Sequence, residues 1–154
     1  MLNLKLPKEG NVLLHSCCAP CSSAVVECML MNGIRPTLLY YNPNIFPEKE
    51  YEIRKNENKR YAKTLGLDFI DADYDHDAWI EQIKGLENEP ERGKRCVKCF
   101  AIRMLFTAQY ASKNGFPLFT TTLPSSRWKN ADDIFAAGKY AETQYPDVVY
   151  WEQH

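Results

Sequence analysis

The alternation of apolar runs and helix-forming segments along the chain predicts five strands and five helices. Short apolar runs bounded by turn residues are predicted as buried strands at residues 11–15, 37–41, 68–72, 119–123 and 148–151. Longer helix-forming segments, several of them closed by glycine, are predicted as helices at residues 22–32, 48–65, 76–86, 96–114 and 131–144. Strands that alternate with helices in this way predict an α/β fold, a mostly parallel five-stranded sheet with helices on both faces.

The segments with conspicuous chemistry follow predicted strands. "HSCCAPC" comes at the end of the first strand, "YNPNIFP" after the second and "TLPSSRWKN" after the fourth. In open parallel sheets, ligand sites form outside the carboxyl ends of the strands. The first segment takes the place of the glycine-rich phosphate-binding loop of related folds, and its cysteines favour a metal over a nucleotide phosphate.

The chain has six cysteines in 154 residues. Whether they form disulfides or bind a metal depends on whether the protein is in a reducing compartment. The segment "MLNLKLPKEG" lacks the apolar stretch of a signal peptide, and no apolar run approaches the ~20 residues that span a bilayer. We therefore expect a cytoplasmic protein with no membrane partner, folded as a single metal-binding domain over residues 1–154. Reducing conditions there make a disulfide framework the weaker interpretation. Cys28 lies inside an apolar helical run and is predicted to be a core thiol.

The other five cysteines form two groups. Cys96 and Cys99 lie three residues apart where a helix is predicted to begin, so both fall on one face of it. Cys18 and Cys21 have the same spacing, and Cys17 lies beside them. If the first and fourth strands are neighbours, the two groups converge over one end of the sheet. Spacing alone leaves open an iron–sulfur cluster, a zinc site and dithiol redox chemistry.

Five segments, taken in order, resemble the QueH-type epoxyqueuosine reductase family over nearly the whole chain: "HSCCAPCSS", "YNPNIFPEKEYEIRKNENKRYAKTLG", "DADYDHDAW", "GLENEPERGKRCVKCFAIRM" and "TTLPSSRWKN". The resemblance implies an enzyme that removes the epoxide oxygen of epoxyqueuosine at the wobble position of a tRNA anticodon, giving queuosine. It also implies a fold related to the adenine-nucleotide alpha-hydrolases, a [4Fe–4S] cluster and an additional iron ion beside the cluster.

The resemblance also suggests roles for the thiols. Cys17, Cys18, Cys96 and Cys99 match the family's cluster ligands by position. Cys21 stands where some members carry an aspartate, which suits a catalytic ligand of the additional iron. The chain stops at "VVYWEQH", whereas similar proteins run on through a basic segment to a Cys-Gly-Cys tail. We therefore expect a carboxyl terminus that has been cut short.

Conversion of an epoxide into an alkene takes two electrons and two protons. An external low-potential electron donor is therefore implied, and its identity is not given by the residues. Asp75, which follows the third strand, is the candidate proton donor. Substrate contacts are expected from four residues in the segments that follow the second, third and fourth strands, namely Tyr41, Asn42, Tyr74 and Lys129.

The implied partner is a tRNA that carries epoxyqueuosine, whose anticodon loop presents unstacked bases. Four aromatic residues border the predicted site and are candidates for stacking on those bases, namely Tyr40, Tyr41, Phe46 and Trp128, although core or lid packing is favoured for Tyr40 and Phe46. The net charge of −1 excludes a globally basic surface but allows a local patch. Five cations near the second thiol pair are predicted to neutralise phosphates: Arg92, Lys94, Arg95, Lys98 and Arg103.

Two alternatives remain open from the sequence. One is a zinc-stabilised tRNA-binding module without enzymatic activity, in which the thiols hold loops together. The other is a cysteine-dependent tRNA sulfur-transfer enzyme. That enzyme would need a glycine- and serine-rich pyrophosphate loop where "CCAPC" stands.

Overall fold

The fold is described from a computed structural model of the chain. The structure describes residues 10–17, 19–72, 76–85, 94–125 and 131–151, of which 19–22, 94–96 and 125 are described by their backbone alone. The strands are β1 (Val12–His15), β2 (Thr37–Tyr40), β3 (Phe69–Asp71), β4 (Leu118–Thr121) and β5 (Val149–Tyr150). The helices are α1 (Ala19–Met31), α2 (Glu48–Leu65), α3 (His76–Gln82), α4 (Lys94–Lys113) and α5 (Ala131–Gln144), and a short 3₁₀ helix occupies Leu123–Ser125.

The predicted strands and helices all form, with shifts at their ends. The helix α1 begins three residues before its predicted start, since Pro20 is tolerated in a first turn, where its missing N–H would have no acceptor within the helix. The helix α4 begins two residues before its predicted start, and α3 ends at Gln82 rather than at residue 86. Cys21 therefore lies within α1 rather than before it, and Cys96 and Cys99 lie further inside α4 than the sequence predicts.

All five strands are parallel and lie in the order β3-β2-β1-β4-β5. The strand β1 is central, with Leu14 opposite Leu38 of β2 and opposite Thr120 of β4. Every residue of β1 and β4 is buried, as expected for strands that are covered on both faces. The predicted parallel sheet is confirmed, and β1 and β4, whose adjacency the sequence left conditional, are neighbours.

Each face of the sheet has its own apolar core. On one face, Leu13 and Phe119 pack with Met104 of α4 and Ile134 of α5. On the other face, side chains of the same two strands pack with α1 and α2 residues, namely Val12, Leu14, Leu118, Val26, Met29 and Ala62. Helices therefore cover both faces, as predicted. Among the described residues, no helix combines the length and the apolar character needed to cross a bilayer.

Gly138 of α5 packs closely on the ring of Tyr150. A Cβ atom added at Gly138 would lie 2.5 Å from that ring. Tyr150 is buried, so its ring cannot move aside without displacing the core. We expect Gly138→Ala to lower the free energy of unfolding by about 1–3 kcal/mol, which is the typical cost of overpacking.

Thermal denaturation measures this effect, and the midpoint should fall by about 2–4 °C for each kcal/mol in a chain of this size. The double variant Gly138→Ala/Tyr150→Leu, in which the smaller side chain makes room for the methyl group, is the control. If the double variant melts no higher than Gly138→Ala alone, the contact with Tyr150 is not the cause.

Candidate metal centre

The first thiol segment is the loop between β1 and α1. Cys17 is buried in this loop, with its Sγ atom 3.7 Å from Oγ1 of Thr122. Cys21 lies in the first turn of α1, where only the backbone is described, and Cys18 lies outside the described residues. The loop is held to the neighbouring strands, because Ser16 N–H donates to Leu39 O at 2.9 Å and Thr122 N–H donates to His15 O at 3.0 Å.

The second thiol segment is the beginning of α4. Cys99 is buried, and Cys96 lies one turn earlier, where only the backbone is described. Cys17, Cys28 and Cys99 are free thiols. The start of α4 lies at the carboxyl edge of the sheet, because the helix runs back across the sheet before β4 begins.

Asn42 connects the two thiol segments. Its Nδ2 donates to the carbonyl of Ser16 at 3.0 Å, and its Oδ1 accepts from Nη1 of Arg103 at 3.2 Å. Ser16 directly precedes Cys17, and Arg103 lies one helical turn after Cys99. Asn42 is almost fully buried, and both ends of its amide are bonded within the protein. This internal bonding differs from the substrate contact expected for Asn42.

His15, the last residue of β1, is fully buried. Its Nε2 lies 2.9 Å from the carbonyl oxygen of Tyr41, and its Nδ1 lies 2.9 Å from Oγ1 of Thr121. Burial and the positive charge of Arg103 lower the pKa of His15 to about 4, so the ring is neutral at neutral pH. A neutral ring has one N–H, which must be on Nε2 to donate to a carbonyl. His15 therefore holds the edge of the sheet together.

The cations of the second thiol segment do not share one environment. Lys98 is exposed and available to a phosphate, whereas Arg103 is only 3% exposed. The prediction that Arg103 contacts phosphate is therefore wrong, because its side chain points into the protein, where it meets Asn42 and the ring of Phe100. Arg92 lies outside the described residues, and only the backbone is described at Lys94 and Arg95.

Tyr41 follows β2 at the carboxyl edge of the sheet, which carries Cys17 and Cys99 and is called the thiol edge below. The Tyr41 ring stacks on Phe106 of α4 at 3.8 Å between centroids. Both rings line a cleft of about 330 Å³ that also includes Lys98, Tyr140 and Tyr145. A candidate substrate residue therefore borders an open cleft along α4. The other candidates, Tyr74, Asp75, Trp128 and Lys129, lie outside the described residues.

A stack of three rings lies at the same edge, after β2 and in α3. Phe46 stacks on His76 at 4.9 Å between centroids, and His76 stacks on Trp79 at 5.4 Å. The Nδ1 atom of His76 is 2.8 Å from the carbonyl oxygen of Pro43. Tyr40 is fully buried, which confirms core packing for it, whereas Phe46 is 71% exposed, so of the two predicted alternatives the core one does not hold for Phe46. The outer ring of this stack is presented to solvent.

The described side chains fit an anionic, thiolate-bound metal group. Cys17 and Cys99 are buried free thiols on two segments that Asn42 joins. Arg103 adds a buried positive charge, and its Nε atom is buried without a hydrogen-bond partner. Among the side chains that the structure describes, no group of three or more His, Cys, Asp or Glu residues lies close enough to hold a metal ion, and only two of the five predicted ligands belong to that set.

Sequence reasoning missed the roles of Asn42 and Arg103 at this site. A signal for Arg103 was available, because residues four apart on a helix share a face and Arg103 follows Cys99 by four. Asn42 had no such signal, since its two partners are 26 and 61 residues away along the chain.

Comparison with known proteins places these features in a family. The family model described as "Epoxyqueuosine reductase QueH" matches residues 12–154. The curated epoxyqueuosine reductase QueH of Haemophilus influenzae is 54% identical over 97% of the chain, and that of Acinetobacter baylyi is 51% identical over 98%. The chain spans 61% and 70% of the lengths of these two relatives.

A solved structure shares the fold. It is described as a predicted subunit of a tRNA methyltransferase from Methanocaldococcus jannaschii, and it superposes with a TM-score of 0.60 over 92% of this chain and 66% of its own. At 14% sequence identity, this likeness concerns the fold alone.

Proposed function

The chain belongs to the epoxyqueuosine reductase QueH family, and we propose that it catalyses the reductive removal of the epoxide oxygen of epoxyqueuosine at the tRNA wobble position. The observation that carries the proposal is the link through Asn42. This link holds the buried thiol of the β1 loop and the buried thiol of α4 at one edge of the sheet. In this proposal the metal ligands come from both segments, so the two segments must lie next to each other for the metal to bind.

The proposed cofactor is a [4Fe–4S] cluster with an additional iron ion. Cys17, Cys18, Cys96 and Cys99 would hold the cluster, and Cys21 would face the additional iron. When bound, this group supplies one-electron transfer and a Lewis acid for the epoxide oxygen. The reaction consumes two electrons and two protons and releases water, so an external low-potential donor must deliver both electrons.

The residues of the chain would position the substrate, keep water away from the metal ligands and donate protons. Burial of Cys17 and Cys99 keeps water away from their sulfur atoms. The neutral His15 ring has both nitrogens engaged in the sheet edge, so it is not the proton source in this proposal. We assign proton donation to Asp75. Tyr41, at the rim of the cleft along α4, and Tyr74 and Lys129 would contact the nucleoside.

The test is to purify the protein without oxygen, measure its iron, and incubate it with tRNA containing epoxyqueuosine and dithionite. We expect bound iron, a visible absorption that bleaches on reduction, and conversion of epoxyqueuosine to queuosine without ATP. Zinc in place of iron would favour the tRNA-binding module, and a requirement for ATP would favour sulfur transfer. Either result would overturn the reductase proposal.

The Phe46 stack supports an RNA partner. An exposed ring whose other face is fixed against His76 offers a flat platform, and stacking of a base on an aromatic side chain contributes about 1–3 kcal/mol. We propose that a base of the anticodon loop next to the wobble nucleoside stacks on Phe46. Asn42 and Pro43 tie this platform to the thiol loop and to α3 respectively, so its position relative to the thiol edge is fixed.

Phe46→Ala is expected to weaken binding of an anticodon stem-loop RNA about tenfold, since 1.4 kcal/mol lies within the range for one stacked base. Fluorescence anisotropy with labelled RNA measures this, and Phe46→Tyr should bind like the parent. Met31→Ala is the control, because Met31 is also well exposed but lies at the far end of α1. Equal affinities for Phe46→Ala and Met31→Ala would refute the platform.

A further inference from the structure

Arg103 is a buried cation that meets uncharged groups among the described residues. Its guanidinium donates to the neutral amide of Asn42, and its Cζ lies 5.7 Å from the centroid of the Phe100 ring. Among the described residues it forms no ion pair with a carboxylate, and its Nε atom is buried without a partner. The side chain is only 3% exposed, so water does not replace the missing acceptor.

An arrangement of this kind is unfavourable by itself. A guanidinium does not lose its proton in proteins, and moving an ion into the interior costs several kcal/mol. A single hydrogen bond to an uncharged amide and one ring face offset only part of that cost. Buried charges are ordinarily paired with an opposite charge. The surroundings of Arg103 therefore call for an anion.

Among the described residues, the thiols of the two thiol segments are the groups that can provide it. Cys99 lies four residues before Arg103 on α4, and side chains at that spacing are neighbours on the helix surface. Asn42, which binds Arg103, also binds the carbonyl that precedes Cys17. An RNA phosphate cannot approach a side chain that is this deeply buried.

We propose that Arg103 is the internal counter-cation of the thiolate-bound cluster and raises the cluster's reduction potential. This inference rests on the cofactor of the proposed function. Each added electron makes the thiolate-bound group more negative, and a fixed positive charge beside it stabilises the reduced form over the oxidised form. Arg103 is thus a positioning residue that acts through the cluster and does not touch the substrate.

The test compares Arg103→Gln, which removes the charge but keeps an N–H donor, with Arg103→Lys, which keeps the charge. Both proteins are reconstituted with iron and sulfide without oxygen and titrated with dithionite at controlled potential. We expect Arg103→Gln to be at least tenfold harder to reduce, a fall of about 59 mV for one electron. Arg103→Lys should recover most of that shift.

A second measurement separates electrostatics from packing. In the metal-free protein the charge of Arg103 is uncompensated, so metal-free Arg103→Gln should melt no lower than the metal-free parent. In the iron-loaded protein the same substitution should lower the melting midpoint, because it removes the counter-ion. A purely structural arginine would lower the midpoint in both states, and that result would overturn the inference.

The outcomes distinguish this inference from the proposed function. If the parent binds iron and converts epoxyqueuosine but Arg103→Gln has the parent's potential, the inference fails and the function stands. If only Arg103→Lys and the parent take up iron, the charge is needed for assembly, which supports the inference. If neither variant takes up iron, the bond geometry of arginine is what matters, and the counter-cation role is refuted. A parent that binds no iron overturns both proposals.

Discussion

The Cys99→Ala protein, purified without oxygen, is expected to retain almost no iron and to convert no epoxyqueuosine. Loss of a group that merely supports a ligand costs about 10–100-fold in metal affinity, so loss of the ligand itself should cost at least about 100-fold. The metal-free variant should still fold, since removing one buried sulfur atom, which leaves the Cβ as a methyl group, costs only about 1 kcal/mol, as typical point substitutions do. A colorimetric assay of iron per chain checks the loss of iron, and circular dichroism checks that the variant is folded.

Cys28→Ala is the matched control for this substitution. Cys28 is a half-buried free thiol in the body of α1, with no predicted role in metal binding. It should keep the parent's iron content and activity. If Cys28→Ala and Cys99→Ala lose iron to the same extent, or if neither does, the buried thiol at the head of α4 is not a metal ligand.

Asn42→Ala is expected to have the largest effect on stability among substitutions at this site. It leaves the Ser16 carbonyl and the Arg103 guanidinium without their bonds to the amide in a buried setting, and each orphaned group costs about 1–3 kcal/mol, or more when it is charged. The free energy of unfolding of the metal-free protein should fall by about 3–5 kcal/mol. For a chain of this size, that corresponds to a melting midpoint lower by roughly 10 °C.

Asn114→Ala is the comparison for Asn42. Asn114 also uses its Nδ2 to bond a carbonyl, that of Tyr110 at 2.9 Å, but it is exposed at the end of α4. Water can replace that bond, so the loss should stay below about 1 kcal/mol. Iron uptake should fall in Asn42→Ala and not in Asn114→Ala, because only Asn42 joins the two thiol segments. Similar midpoints for the two variants would mean that the link contributes little.

The elements of the fold were predictable because local patterns determine them. The five parallel strands and the helices between them follow from apolar runs and helix-forming segments, and the structure confirms them. The positions of the two thiol segments were also predictable, because each lies where a helix begins. The pairing of β1 with β4 was not predictable in the same way, since the paired residues His15 and Thr121 are 106 positions apart along the chain and strand order depends on how the helices pack.

Two side chains show what reasoning from the sequence could not decide. Arg103 was assigned to a phosphate-binding surface, but the face of α4 that carries it is turned toward the sheet, and the side chain is buried beside Asn42. For Phe46 the sequence left core and lid packing open, and its loop places it on the outside of the stack with His76, which excludes the core. Exposure in these cases depends on the orientation of a helix or a loop, which residue type does not specify.

By itself the sequence determined the α/β class, the positions of the thiols relative to the strands, and the resemblance to a family. Only the tertiary structure decided that Asn42 joins the two thiol segments, that Arg103 is a buried cation and that Phe46 faces solvent. The physical reason is the range of the interactions. Backbone geometry and apolar periodicity act over a few residues, whereas bonds and charges at the sheet edge join residues that come together only when the chain has folded.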